Sequence, residues 1–134
     1  MRKILIIMLT SLLILFVSCT DSSGPVPAYY KGTWSSTAED SPVLVFSRSS
    51  VRAGTSVNTA VPLEKYAATA SMQPGAVGKV EYTMIGDVLQ AEVTISYSGL
   101  SEVVTITFTK PVNDKFTMTS NDGGETYSLI YTKN

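Results

Sequence analysis

Alternating apolar and polar residues dominate the second half of the chain. In the clearest run, residues 88–97, Leu89, Ala91 and Val93 fall on one face while Gln90 and Glu92 fall on the other. A period of two is the pattern of a half-buried β-strand. The same alternation recurs over residues 79–84, 102–109, 115–120 and 125–132, and these segments are rich in the β-branched and aromatic residues that favour strands.

Short turn sequences separate these five segments. Gly86 and Asp87 fit a two-residue hairpin loop, and Gly, Asn, Asp, Ser or Pro also mark residues 98–101, 111–114 and 121–124. Short loops make successive strands antiparallel neighbours. The sequence therefore predicts a five-strand antiparallel meander over residues 79–132.

The first half of the chain has a weaker pattern. Residues 32–37 and 42–51 each predict one strand, and residues 52–61 show no clear element. Residues 62–72 are compatible with a strand or a short helix; Pro62 at a first helical turn and the alanines favour the helix. Together these elements predict a mainly all-β fold, an antiparallel up-and-down meander of about 7–8 strands forming a barrel or a strongly curled sheet.

The first nineteen residues have the pattern of an export signal. Arg2 and Lys3 precede an apolar run over residues 4–17, and Ser18 and Cys19 follow it. The run is shorter than the roughly 20 residues that span a bilayer as a helix. We therefore expect residues 1–18 to be a removed signal peptide.

Residues 16–19, Phe-Val-Ser-Cys, resemble the lipobox of bacterial lipoproteins, although Leu usually stands where this chain has Phe16. The resemblance implies cleavage before Cys19, a diacylglyceryl group on its thiol, and acylation of the new amino terminus by a fatty acid such as palmitate. The alternative, an ordinary signal with an incidental cysteine, leaves an unpaired thiol on an exported protein. Thr20, not aspartate, follows Cys19, so the known inner-membrane retention signal is unmatched, which favours the outer membrane or cell surface of a bacterial envelope.

The composition of the remaining residues predicts a short tether followed by one domain. Residues 19–30 are predicted to be the lipidated cysteine and a flexible tether, and residues 31–134 a single domain. No cysteine follows Cys19, so stability must come from the apolar core. Without Arg2 and Lys3, the chain has 8 basic and 11 acidic side chains, and the basic ones do not cluster into a stripe. This argues against a nucleic-acid partner.

Candidate catalytic residues are few. The chain has no histidine, which excludes Ser-His-Asp and Cys-His catalysis. Glu92 and Glu102 could approach each other across a hairpin, but both alternate with apolar residues, and we expect both to face solvent rather than to act as a carboxylate pair. The Asn, Asp and Gly of residues 121–125 fit a hairpin turn better than a calcium loop. We therefore expect no cofactor, no metal and no enzymatic activity.

Gly32-Thr33-Trp34, at the start of the first predicted strand, resembles the G-x-W signature of lipocalins and lipocalin-like bacterial domains. In that family the Trp closes one barrel end and a basic residue near the last strand packs over it, a position that Lys133 would fill here. The alternative is a core Trp that opens an ordinary sheet.

A lipocalin-like barrel predicts interior side chains that either fill the core or line a ligand pocket. The candidates are Trp34, Tyr82, Met84, Tyr97, Phe108, Phe116, Met118, Tyr127 and Tyr131. Two functions remain open: an anchored protein that binds a small apolar ligand, and a structural lipoprotein with a filled core that contacts another envelope or host protein. An enzyme ranks last.

Overall fold

The computed structural model of the protein describes residues 24–134; the predicted signal peptide and Cys19 lie outside the described residues. A 3-10 turn at Ala28–Tyr30 comes first. The strands are β1 (Gly32–Ser35), β2 (Val43–Phe46), β3 (Val51–Gly54), β4 (Val61–Pro62), β5 (Val77–Ile85), β6 (Val88–Tyr97), β7 (Leu100–Phe108), β8 (Lys115–Asp122) and β9 (Glu125–Lys133), and the helix α1 is Leu63–Ala70.

The nine strands form one antiparallel sheet in the order β4-β3-β2-β1-β9-β8-β7-β6-β5. The sheet curls into a half-barrel. Its two edge strands, β4 and β5, are not paired with each other in the described part of the chain, and α1 connects them. The predicted class is confirmed: a curled, mainly β fold with one short helix, although it has nine strands where about 7–8 were expected.

The five-strand meander is confirmed as β5–β9. Each strand pairs with the next along the chain. Gly86 and Asp87 form the β5–β6 loop, and Gly123 and Gly124 form the β8–β9 loop. Both Gly123 and Gly124 have positive φ, which explains why two glycines occupy this turn. Period and turn chemistry agree throughout this half of the chain, which is why the prediction holds here.

The first half of the sheet differs from the prediction at residues 42–51. They form two strands, β2 and the start of β3, because a serine-rich turn lies between them. The Ser47 backbone N–H donates to the Ser50 carbonyl over 3.0 Å, and the Ser50 N–H donates to Ser47 Oγ over 3.2 Å. The two short strands β3 and β4 occupy the region that showed no clear element.

The helix over residues 62–72 is confirmed as α1, and the strand alternative is wrong. It packs against the edge strand β5 at Gly78, where an added Cβ would overlap the Glu64 carbonyl of the helix. Across the same gap, the Tyr82 hydroxyl of β5 accepts a 2.9 Å hydrogen bond from the Val51 N–H of β3. The helix and one side chain therefore connect the two halves of the sheet where strand pairing does not.

The predicted tether over residues 19–30 is wrong for its described part, residues 24–30. Val26 and Tyr30 are fully buried, and the Val26 N–H donates to the Arg48 carbonyl over 3.0 Å. The Tyr30 hydroxyl lies 2.7 Å from the Phe108 carbonyl oxygen, and the Trp34 indole N–H donates to the Tyr30 carbonyl. Burial of the aromatic side chain overrides the loop-like composition of this segment. Residues 24–30 therefore belong to the packed domain.

The core contains a compact aromatic cluster at the end of the half-barrel where residues 24–30 pack. Its members are Tyr30, Trp34, Phe46, Phe108, Phe116 and Tyr131, all buried. Phe116 is central, with its ring centroid 4.7 Å from that of Trp34 and 5.4 Å from that of Tyr131. The continuous core of the described residues runs from Val26 to Tyr131, so residues 24–134 are a unit with its own core.

Candidate ligand-binding cavity

A cavity of about 210 Å³ lies between α1 and the concave face of the sheet, at the end opposite the aromatic cluster. Its wall is mainly apolar; Leu44, Ala53, Leu63, Ile95, Ile106 and Met118 contribute to it. An apolar cavity of roughly 150 Å³ is large enough to hold benzene, so this one has room for a small organic molecule. The cavity exists because α1 covers the sheet here with small residues, among them Ala67 and Ala70.

Glu102 lines this cavity, and the expectation that it faces solvent is wrong. In β7 it shares a face with Val104, Ile106 and Phe108, the inward face of the strand. Glu102 is half-buried, and its Oε2 lies 3.4 Å from the Tyr97 hydroxyl. Glu92 of β6 is exposed on the outer face, as expected, and is paired in register with Thr105 rather than with Glu102. The two glutamates therefore do not meet.

Two further polar residues reach the cavity from β8. Ser120 and Asp122 continue the inward face that begins with Phe116 and Met118. Ser120 is only 4% exposed and lines the cavity. Asp122 lies at the exposed rim. A hydroxyl that lines a mainly apolar cavity can donate a hydrogen bond to a ligand or accept one from it.

The cavity has acidic but no basic lining residues. Glu102 and Asp122 supply two carboxylates, and none of the lining residues in the described part of the chain is Lys or Arg. Burial raises the pKa of Tyr66, and the neighbouring Tyr127 raises it further. The Tyr66 hydroxyl is therefore neutral at neutral pH, and the negative charge of the site lies on the two carboxylates.

The predicted interior residues occupy three kinds of position. Trp34, Phe108, Phe116, Met118 and Tyr131 are buried in the core, and Tyr82 and Tyr97 are partly buried against it. Met118 lines the cavity as well, and so does Tyr127, which is 57% exposed at its rim. The interior placement of Met84 is corrected: this side chain is 37% exposed near the end of β5 and is not among the cavity residues.

Lys133 lies over Trp34. The two residues are register partners in the β1–β9 pairing, and Lys133 Nζ is 5.8 Å from the centre of the Trp34 ring. The distance is within the range of a cation–π contact. Trp34 is fully buried beneath it.

Sequence reasoning missed Glu102, Ser120, Asp122 and the helix residues Leu63 and Tyr66. For the three strand residues a signal was present, because each is an even number of positions from an inward apolar residue of its own strand. The helix residues carried no such signal, since only the packing of α1 brings them to the sheet.

Within residues 24–134, no three Asp, Glu, His or Cys side chains are grouped closely enough to hold a metal ion. No helix of this range has the length and apolar character needed to cross a membrane. Comparisons of the chain with protein-family models, with curated proteins and with solved structures found no match.

Proposed function

We propose that this chain is an exported bacterial lipoprotein, anchored through acylated Cys19 to the outer membrane or cell surface, whose β domain binds a small apolar ligand with a cationic end. The observation that carries the ligand proposal is the cavity, with an apolar wall, two carboxylates and no basic residue among the described lining side chains. The anchor rests on residues 16–19 and on the apolar run before them.

The chemistry of the cavity favours a ligand of two parts. The apolar wall removes a hydrocarbon body from water, which contributes about 0.8 kcal/mol for each buried methylene. Glu102 stands partly inside the wall, where a carboxylate without a counter-charge is unfavourable. An ammonium group at one end of the ligand would supply that counter-charge, and Ser120 would accept a hydrogen bond from it.

The contact of Lys133 with Trp34 supports a resemblance of this domain to lipocalins, because in lipocalins a basic residue near the last strand packs over the Trp of the G-x-W signature. The resemblance remains limited to this corner. In this sheet β4 and β5 are not paired within residues 24–134, and a helix occupies the space between them.

Three ligands that share a six-carbon chain but differ in their end group test the cavity. We expect hexylammonium to bind residues 24–134 more tightly than hexanol, and hexanoate to bind least, as measured by calorimetric titration. Glu102→Gln should weaken hexylammonium about 10-fold, the effect of losing one charge-assisted hydrogen bond. It should leave hexanol nearly unchanged, since hexanol brings no charge to this position.

Glu92→Gln is the matched control, because Glu92 lies on the outer face of the sheet and should alter none of the three affinities. Absence of saturable binding for all three compounds would reject the ligand and favour the alternative, a lipoprotein that contacts another envelope or host protein. Mass spectrometry of a solvent extract from natively purified protein would then be expected to show no carried molecule.

The anchor is tested independently at Cys19. In a bacterial host supplied with labelled palmitate, we expect the natural chain to become labelled and Cys19→Ala to lose the label completely. Ser22→Ala, three residues further on, should keep it. An intact mass of the native protein equal to that of the bare polypeptide would reject lipidation.

A further inference from the structure

The two ends of the half-barrel carry opposite charge. We name one the basic end; it comprises residues 24–31, 47–50, 85–87 and 109–115 together with Lys133. The basic end has five basic side chains and two acidic ones. The basic residues are Lys31, Arg48, Lys110, Lys115 and Lys133, and the acidic residues are Asp87 and Asp114. The opposite end carries the cavity and five acidic residues, Glu39, Asp40, Glu102, Asp122 and Glu125, while the basic Lys79 near the start of β5 also lies towards it.

Direct contacts hold the segments of the basic end together. The Val26 N–H bonds to the Arg48 carbonyl, the Tyr30 hydroxyl lies 2.9 Å from the Thr109 carbonyl, and the Lys133 N–H lies 2.9 Å from the Asp114 carbonyl. The charges are thus brought onto one surface by the antiparallel topology, although they are far apart in sequence. This explains why the chain itself shows no basic stripe.

The basic end also exposes large apolar side chains. Tyr29 is 40% exposed, Ile85 56% and Val112 68%. Lys110 Nζ lies 5.5 Å from the centre of the Tyr29 ring. Aromatic and aliphatic side chains beside lysines are the combination that enters the interface of a membrane, where apolar groups reach the acyl boundary and cations meet the headgroups.

The chain enters the domain at this same end. Gly24 is packed so closely against the Arg48 carbonyl that an added Cβ would overlap it. Residues 20–23 are all that separate Gly24 from Cys19, so the Cα atoms of Cys19 and Gly24 are at most about 19 Å apart. An anchor at Cys19 therefore brings the basic end, rather than the cavity end, towards the bilayer.

We propose that the basic end is a membrane-docking surface that binds an anionic phospholipid bilayer, with the acidic cavity end directed away from it. The orientation rests on the proposed anchor at Cys19. The affinity of the surface for an anionic bilayer does not, because it depends only on the charges and apolar side chains of residues 24–134. The acidic opposite end reinforces the orientation, since an anionic bilayer repels it.

Co-sedimentation of residues 24–134 with vesicles tests this. We expect binding to vesicles that contain phosphatidylglycerol, little binding to pure phosphatidylcholine, and loss of binding when salt is raised from about 0.1 M to about 0.5 M. The double variant Lys110→Glu/Lys115→Glu should weaken binding at least about 30-fold, because each basic residue near an anionic surface contributes separately.

The matched control is Lys65→Glu/Lys79→Glu, which makes the same change in net charge on α1 and near the start of β5, away from the basic end. It should change the affinity less than about 3-fold. Equal weakening by both double variants would overturn the proposal, since it would show a response to net charge alone. Circular dichroism of each variant verifies the fold.

Val112→Ser and Ile85→Ser distinguish a bilayer from a soluble polyanion. We expect each to weaken vesicle binding several-fold without changing the salt dependence. If neither has an effect and heparin binds as tightly as the vesicles, the surface is a general polyanion site and the proposal is wrong. Palmitate labelling at Cys19 is unaffected by any of these results, so a failure here is separable from a failure of the anchor.

Discussion

Phe116→Ala is expected to lower the free energy of unfolding by about 3–5 kcal/mol, the usual cost of removing a buried phenyl ring. Phe116 is 2% exposed and stands in the middle of the aromatic cluster. Its ring makes edge contacts with Trp34 at 4.7 Å and Phe108 at 5.8 Å and stacks on Tyr131 at 5.4 Å. The closely packed rings around Phe116 cannot easily move into the space that the lost phenyl ring would leave. The expected loss of stability is therefore in the upper part of the range for a core substitution.

Urea denaturation of residues 24–134, followed by tryptophan fluorescence, measures this loss, because Trp34 lies in contact with the substituted position. Domains of this size are stable by about 5–15 kcal/mol, so the variant is expected to be marginal. Ile130→Ala in the neighbouring strand is the control: Ile130 is 63% exposed, and its loss should cost no more than about 0.5 kcal/mol. Equal costs for the two variants would contradict the cluster as the centre of the core.

Gly78→Ala is expected to lower the free energy of unfolding by about 1–3 kcal/mol, the range for an added methyl in a packed site. The new Cβ would overlap the carbonyl group of Glu64, which is backbone and cannot rotate away. Either α1 or β5 must shift. The loss of stability therefore measures how closely α1 packs on β5, the contact by which the helix covers the open side of the sheet.

The same variant should weaken any ligand of the cavity, because α1 forms one wall of it through Leu63 and Tyr66. Lys79→Ala is the control, since Lys79 is the exposed next residue of β5 and its truncation should leave both quantities within about 0.5 kcal/mol. A stability of Gly78→Ala equal to that of the natural chain would show that the helix does not rest on β5.

The sequence predicts a strand or turn correctly where the residues that cause it are neighbours in the chain. In β5–β9 each strand alternates, and each loop contains residues suited to a tight turn, so the sequence predicts strands and their pairing without distant information. At residues 42–51 the serines that form the β2–β3 turn also suit a strand edge, so the pattern predicts one strand where the structure has two. The hydrogen bonds of Ser47 decide between these interpretations only in the folded chain.

The cavity illustrates a different limit. The inward direction of Glu102 follows from its even spacing to Val104 and Ile106, and the prediction failed because it took Glu102 to alternate with the apolar residues of its strand. Val26 and Tyr30 show the converse case. Their segment has a linker-like composition, and its burial depends on Phe108 and Arg48, which are distant in the chain.

By itself, the amino-acid sequence determined the strand class and the order of the second-half strands, favoured the short helix over a strand, and gave rise to the expectation of an anchored export route. Periodicity, turn residues and signal patterns can do this because they act over a few neighbouring positions. Only the tertiary structure decided where α1 lies, that a cavity remains beneath it, and that five scattered basic residues share one end. The physical reason is that these features depend on the curl of a nine-strand sheet, which brings residues from both halves of the chain together through contacts that no local pattern encodes.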